Sequence, residues 1–350
     1  MRISLFTAGL VFSFSLSYGQ WQNTHIPIRT SYPALLSIGS DLYAAGGGGG
    51  VFRSSDNGDT WDSLNSGLTD KYVQCLAAIG SDLVAGTLTG LFTSSDRGSH
   101  WSPFESGLPE YGITALAVSG ADLFAGSYYS GIYRSSDKGR NWTRMDSASP
   151  AVSIQAFFVT ETGLFAGAKN GIYRSTDKGV HWIEIDTGLG VALGDTYAQC
   201  FAAIGSRLFA ATAGGVYLST DNGDSWNKAS SGLSDEFTSV PSLLAVGENL
   251  IAGTYIGVYH SGDYGGSWSS FTSGFTAIDY IGALAAHGGY LFASVTNNTP
   301  DNGVWRIAAP ATGISLRPHS HAVKGSQPVL RTRDGAYSVL GRKADLPSLK

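Results

Sequence analysis

The sequence predicts an all-β fold: a seven-bladed β-propeller of four-stranded antiparallel blades, closed by its own N-terminal strand. Three observations predict it. One motif recurs six times at a spacing of 40 to 44 residues, four short β-rich segments fill every period, and the repeat count differs at the two ends of the chain. A fixed period of this size marks a propeller or solenoid.

The motif reads SSDNGDTW at 54–61, SSDRGSHW at 94–101, SSDKGRNW at 135–142, STDKGVHW at 175–182, STDNGDSW at 219–226 and SGDYGGSW at 261–268. Its constant residues are Asp56, Asp96, Asp137, Asp177, Asp221 and Asp263, with Trp61, Trp101, Trp142, Trp182, Trp226 and Trp268. These types suit a tight turn. A short carboxylate accepts amide hydrogens from its own turn, and the Ser hydroxyl serves a second amide. The glycine takes positive φ without steric cost. The Trp opens an outer strand with a large apolar body and one N–H to satisfy.

Four segments recur around each motif. In the second period they are VQCLAAIG (73–80), DLVAG (82–86), GLFTSSD (90–96) and SHWSPF (99–104). Such β-branched and aromatic runs, punctuated by Gly, Ser and Asp, read as strands. Four of them per period make one propeller blade.

The blade count comes from the third-strand aromatic, which recurs as Phe52, Phe92, Tyr133, Tyr173, Tyr217, Tyr259 and Trp305. Seven aromatics stand against six motifs, so the last period lacks its outer strand. Trp21 lies one repeat length before Trp61. The segment around Trp21 is therefore expected to complete the last blade and remove an exposed sheet edge.

A chain of 350 residues, 14% charged and with a net charge of −5, can bury a large core. No basic run falls within the repeats, which argues against a nucleic-acid partner. Residues 1–19 read as a secretory signal: Arg2, an apolar run, then Ser17-Tyr18-Gly19. The apolar run is short for a membrane span, so a retained anchor is the alternative and no transmembrane span is expected after signal removal. The domain reading is a signal at 1–19, a propeller at 20–309 and a polar tail at 310–350, either solvated or a trimmed sorting segment. The expected location is secreted, periplasmic or cell-surface. Cys75 and Cys200 occupy equivalent slots three blades apart, too far for a disulfide, and are expected to be buried thiols.

The S-x-D-x-G-x-x-W repeat resembles the Asp-box, or bacterial neuraminidase repeat, over residues 20–309. Propellers with this repeat include sialidases, xyloglucan-cleaving glucanases, sortilin-type receptors and photosystem II assembly factors. The resemblance implies a propeller with the box as a peripheral turn. It does not imply a reaction, since fold and function separate. A sialidase-like site would need a three-arginine clamp and an Arg-Ile-Pro segment. Here residues 26–29 read Ile-Pro-Ile-Arg, and Arg53, Arg134, Arg174 and Arg306 all follow the third-strand aromatic. Repetition accounts for them. A glucanase-like site would need two carboxylates about 5–10 Å apart across a cleft. The seven histidines are scattered, and the glycine run at 46–50 has no Lys-Ser/Thr after it. No catalytic residue, metal or cofactor is assigned.

In a four-stranded blade the first-to-second turns share one face with the motif. The second-to-third loops and interblade connections share the other, which is the more variable face. Interblade connections place an acid near an aromatic: Asp70 with Tyr72, Glu110 with Tyr111, Asp195 with Tyr197, Glu236 with Phe237, and Asp279 with Tyr280. The second-to-third loops add Tyr128, Tyr129, Tyr255 and Lys169, and the last period adds a longer loop at 297–302. Flat rings and acids bind sugars or peptides. The same repetition also serves blade packing, whereas Tyr128, Tyr129 and 297–302 break the repeat. The functional expectation is a monomeric, non-enzymatic module for a protein or glycan partner, with ligand contacts at Tyr72, Tyr111, Tyr128, Tyr129, Tyr197, Tyr255, Tyr280, Asp70 and Asp279. The alternative is a glycoside hydrolase with carboxylates in the central cleft.

Overall fold

The computed structural model describes residues 19–27, 33–104, 107–108, 112–145, 153–190, 196–233, 239–275, 280–296 and 302–309. Among these, all regular structure is β, in seven four-stranded antiparallel sheets. Blades 1 to 6 span residues 34–63, 73–103, 113–144, 154–184, 198–228 and 242–270. Each runs outward in chain order. In blade 2, for example, Val73–Ile79 is innermost, then Asp82–Thr87, Leu91–Ser94 and Ser102–Pro103.

Blade 7 is assembled from both ends of the propeller. Tyr280–His287, Tyr290–Thr296 and Gly303–Ala308 supply three strands, and Gln22–Asn23 supplies the outermost. Gln22 stands opposite Arg306 and Asn23 opposite Trp305. Trp21 does here what three of the motif tryptophans do elsewhere. The backbone N–H of Trp101, Trp226 and Trp268 donates to Ser66, Thr187 and Ser231 of the preceding blade. Their indole N–H groups donate to Leu64, Ile185 and Ala229. Trp21 repeats the pattern on Ser273 (2.9 Å) and Phe271 (2.8 Å).

Inner-strand side chains alternate between neighbours: Cys75, Ala77 and Ile79 pack toward blade 3, Leu76 and Ala78 toward blade 1. The core is therefore seven apolar clusters, one per seam, including the seam between blades 7 and 1 built on Phe292, Val304, Leu35 and Phe52. The ring is closed. Five inner strands carry a β-bulge near their start, at Gln74, Thr114, Gln155, Gln199 and Gly282. A bulge bends its strand and turns the adjoining side chains to a new direction. These five lie where the interblade connections reach the variable face. Cys75 and Cys200 are buried thiols in no disulfide.

Candidate functional site

Among the described residues, the variable face shows its most exposed apolar groups on blades 1 to 3. Tyr72 is 53% exposed, Leu88 44% and Tyr129 65%. They are joined through short contacts. Tyr72 forms an isolated bridge with Gly47, and its ring lies against Gly48, where an added Cβ would meet Cζ at 3.6 Å. Asp70 is spent on this loop. Its Oδ1 accepts the Tyr72 N–H at 2.9 Å, and its Oδ2 accepts the Thr89 N–H and hydroxyl at 2.9 and 2.8 Å. That fixes Leu88 beside Gly112, whose carbonyl accepts the Tyr128 N–H at 3.2 Å. The Tyr128 carbonyl in turn accepts from Ser153 of the next connection. Tyr128 and Tyr129 meet edge to face, with centroids 4.5 Å apart. A strip of rings and aliphatic surface thus crosses three blades on a backbone held by its own hydrogen bonds.

The other expected ligand residues do not share that exposure. Tyr280 is 3% exposed and packs on Tyr255 at 5.0 Å. Tyr197 is half-buried, and its carbonyl accepts from Ala213. Tyr111, Asp279, Glu110, Asp195, Glu236 and the loop at 297–301 lie outside the described residues. Leu88 is an addition to the expected set. Its signal in the sequence is a Leu between two threonines in a second-to-third loop, where apolar residues have no core to fill.

The opposite face is closed in on itself. In all six turns the Ser hydroxyl donates to the Asp Oδ1 at 2.7–2.8 Å. The same hydroxyl accepts the glycine N–H at 2.7–2.8 Å. Oδ1 also accepts the N–H four residues on. These bonds stabilise the charged form. Asp56 is held down to about 2, chiefly by the Thr60 hydroxyl, and Asp137 to about 2, chiefly by the Asn141 amide. The residue after each Asp takes positive φ despite its Cβ: Asn57, Arg97, Lys138, Lys178, Asn222 and Tyr264 lie at 58–61°. Two successive left-handed residues let the chain turn tightly enough for one carboxylate to serve it.

The repeated arginines do not converge. Arg53 pairs with Asp62 and Arg134 with Asp122 inside their own blades. Arg174 crosses to Asp224, and Arg306 to Asp59, each also donating to a turn carbonyl of the next blade. Among the described residues no three His, Cys, Asp or Glu side chains come together to hold a metal. No helix among them is long and apolar enough to cross a membrane.

The family described as the DUF6242 beta propeller domain matches residues 7–191, more than half of the chain. The chain belongs to this family. No curated protein matches the sequence. Solved structures similar to this DUF6242 propeller include the extracellular domain of BT4673 from B. thetaiotaomicron, at 16% identity and a TM-score of 0.67. That likeness covers 83% of this chain, which spans only 40% of that one. A GH74 xyloglucanase from Xanthomonas campestris is 17% identical with a TM-score of 0.63, covering 89% of this chain and 55% of the enzyme. YCF48 bound to D1 peptide is 15% identical with a TM-score of 0.64, covering 84% and 98%. At such identities these likenesses show the fold alone.

Proposed function

We propose that this chain is an exported, non-enzymatic propeller that acts as a monomer and binds a protein or glycan through its variable face. In this reading residues 1–19 are a signal segment, 20–309 the propeller with its six turns as Asp-boxes, and 310–350 a tail outside it. The observation that carries the proposal is the strip of Tyr72, Leu88, Tyr128 and Tyr129. Contiguous apolar surface on a soluble face marks interaction sites, and tyrosine gives large contact area at little entropic cost. Export and binding have parallels of kind: one neighbour is an extracellular domain, and another holds a peptide.

The test is a binding screen of the secreted protein against glycans and surface proteins, repeated with Tyr72→Ala, Tyr128→Ala and Tyr129→Ala. Binding should fall in the variants while the fold persists. Binding that survives all three places the site elsewhere. Hydrolysis of any polysaccharide or sialoside by the parent protein overturns the non-enzymatic part.

A further inference from the structure

The seam between blades 5 and 6 differs from two of its counterparts in a way that makes a socket. At the seam of blades 4 and 5, the third-strand Arg174 bonds the Asn222 carbonyl and pairs with Asp224 at 2.8 Å. At the seam of blades 7 and 1, Arg306 does the same with Asn57 and Asp59. Both arginines are mostly buried by this bond, with 12% and 18% of their side chains exposed. In the repeat, Leu218 stands where Arg174 and Arg306 stand, and Gly266 where Asp224 and Asp59 stand. Both halves of the inter-blade clamp are missing. A cavity of about 210 Å³ remains, with Leu218, Ala229, Tyr264, Gly265 and Gly266 in its wall.

Size and chemistry limit the occupant. Ligand pockets for drug-sized molecules run to about 300–1,000 Å³, so this one suits a single side chain. Of the polar residues in its wall, Ser230 and Asp263 are already bonded within the chain, while Asn227, Lys228 and Ser231 stand at its edge. Ser230 Oγ is bonded to the Val216 N–H and C=O at 2.8 and 2.9 Å. The Asp263 carboxylate accepts from Ser261 and Ser267. The surface exposed inside the site is mostly apolar, which favours an apolar side chain over a sugar. Two cations flank the site: Lys228 in the lining and Arg207, whose guanidinium lies 4.2 Å over the Tyr264 ring. Against the single, already bonded Asp263, they leave the rim positive on a chain of net charge −5.

We infer that the seam of blades 5 and 6 is a docking socket for a partner protein that inserts one leucine- or phenylalanine-sized side chain flanked by acidic residues. It lies apart from the tyrosine strip and stands or falls separately.

The probes are three decapeptides of neutral Gly/Ser background carrying Glu-Leu-Glu, Lys-Leu-Lys or Glu-Ser-Glu at the centre. The readout is the Leu218 methyl resonances of the full chain. The Glu-Leu-Glu peptide should shift them saturably, and the Lys-Leu-Lys peptide should bind about fivefold more weakly or worse. The Glu-Ser-Glu peptide should leave them unmoved. Leu218→Arg combined with Gly266→Asp rebuilds the clamp seen at two other seams and should abolish binding; the same peptide titration is then followed on the Tyr264 resonances. Lys228→Glu, at an exposed position of the outermost strand, should invert the charge preference and guards against a folding defect in the double variant. No saturable shift, equal binding of the Ser and Leu peptides, or an unaltered preference in Lys228→Glu would each overturn the inference.

Discussion

Ring closure hangs on one residue two positions from the first described one, and its removal has a calculable cost. Trp21 is 2% exposed, stacks on Phe275 at 5.1 Å and meets Phe271 edge-on at 5.9 Å. Its indole N–H satisfies the Phe271 carbonyl inside this cluster. Trp21→Ala loses the transfer energy and leaves a cavity, together about 3–5 kcal/mol. Orphaning the carbonyl adds about 1 kcal/mol or more. The sum, about 4–6 kcal/mol, is a large part of an ordinary stability margin of about 5–15 kcal/mol. Trp21→Phe keeps most of the apolar contact and loses the N–H, so it should cost about 1–3 kcal/mol. Urea unfolding followed by far-UV circular dichroism gives the two values, and hydrogen exchange shows where opening begins. Gln22–Asn23 should leave the edge of Gly303–Ala308, and blade 7 should exchange first. A Trp21→Ala protein within about 1 kcal/mol of the parent, or one whose blades all exchange faster together, refutes the account of closure.

Three further outcomes are expected of the same structure. Ser175→Ala removes a 1%-exposed hydroxyl bonded to Asp177 and the Gly179 N–H, and should cost about 1–3 kcal/mol in chemical denaturation. The turn aspartates Asp56, Asp137, Asp177 and Asp221 fall to about 2 when folded, against an ordinary value of about 3.9, so the unfolded chain binds more protons between those limits. Their stabilisation should be complete above about pH 4 and fade as pH falls toward about 2, seen as a falling urea midpoint that Asp→Asn variants flatten. Cys75 is fully buried, which pushes its thiol well above the usual range, so native protein should resist iodoacetamide and react only when unfolded.

Repetition makes the fold readable, because each position is seen six or seven times and chance resemblance averages out. Closure is readable for a different reason: one class of residue numbers seven and another six. Two local devices are understood only from the structure. One is the left-handed residue after each Asp, occupied by Asn, Arg, Lys or Tyr, where no glycine advertises the geometry. The other is the recurring Ser/Thr-Gly-Leu/Phe at 66–68, 187–189, 231–233 and 273–275. Its first carbonyl takes the next tryptophan's backbone N–H, and its glycine leaves room for that tryptophan. A Cβ at Gly67 would come within 2.1 Å of the Trp101 carbonyl. Periodic spacing exposes such a motif, but only its long-range bond explains it.

Exposure on the variable face is the part that repetition cannot supply. Tyr72 and Tyr280 each stand one residue before the equivalent Val73 and Ile281, yet one is 53% exposed and the other 3%. The difference lies in the neighbour. Blade 6 brings Tyr255 over Tyr280, which is itself paired with Thr296 in a lengthened inner strand. Blade 1 offers Tyr72 a run of glycines that cover little of the ring. Equivalent arginines diverge likewise, Arg134 folding back to Asp122 while Arg174 crosses to Asp224, because the next turn supplies Val180 in one case and an acid in the other. Repeat identity therefore sets where a side chain starts, and the adjoining loop sets where it ends. Recognition should then reside where two neighbouring repeats both depart from the pattern, since only there is surface left unspent by the ring itself. The tyrosine strip over a glycine run and the seam with Leu218 opposite Gly266 are two such places.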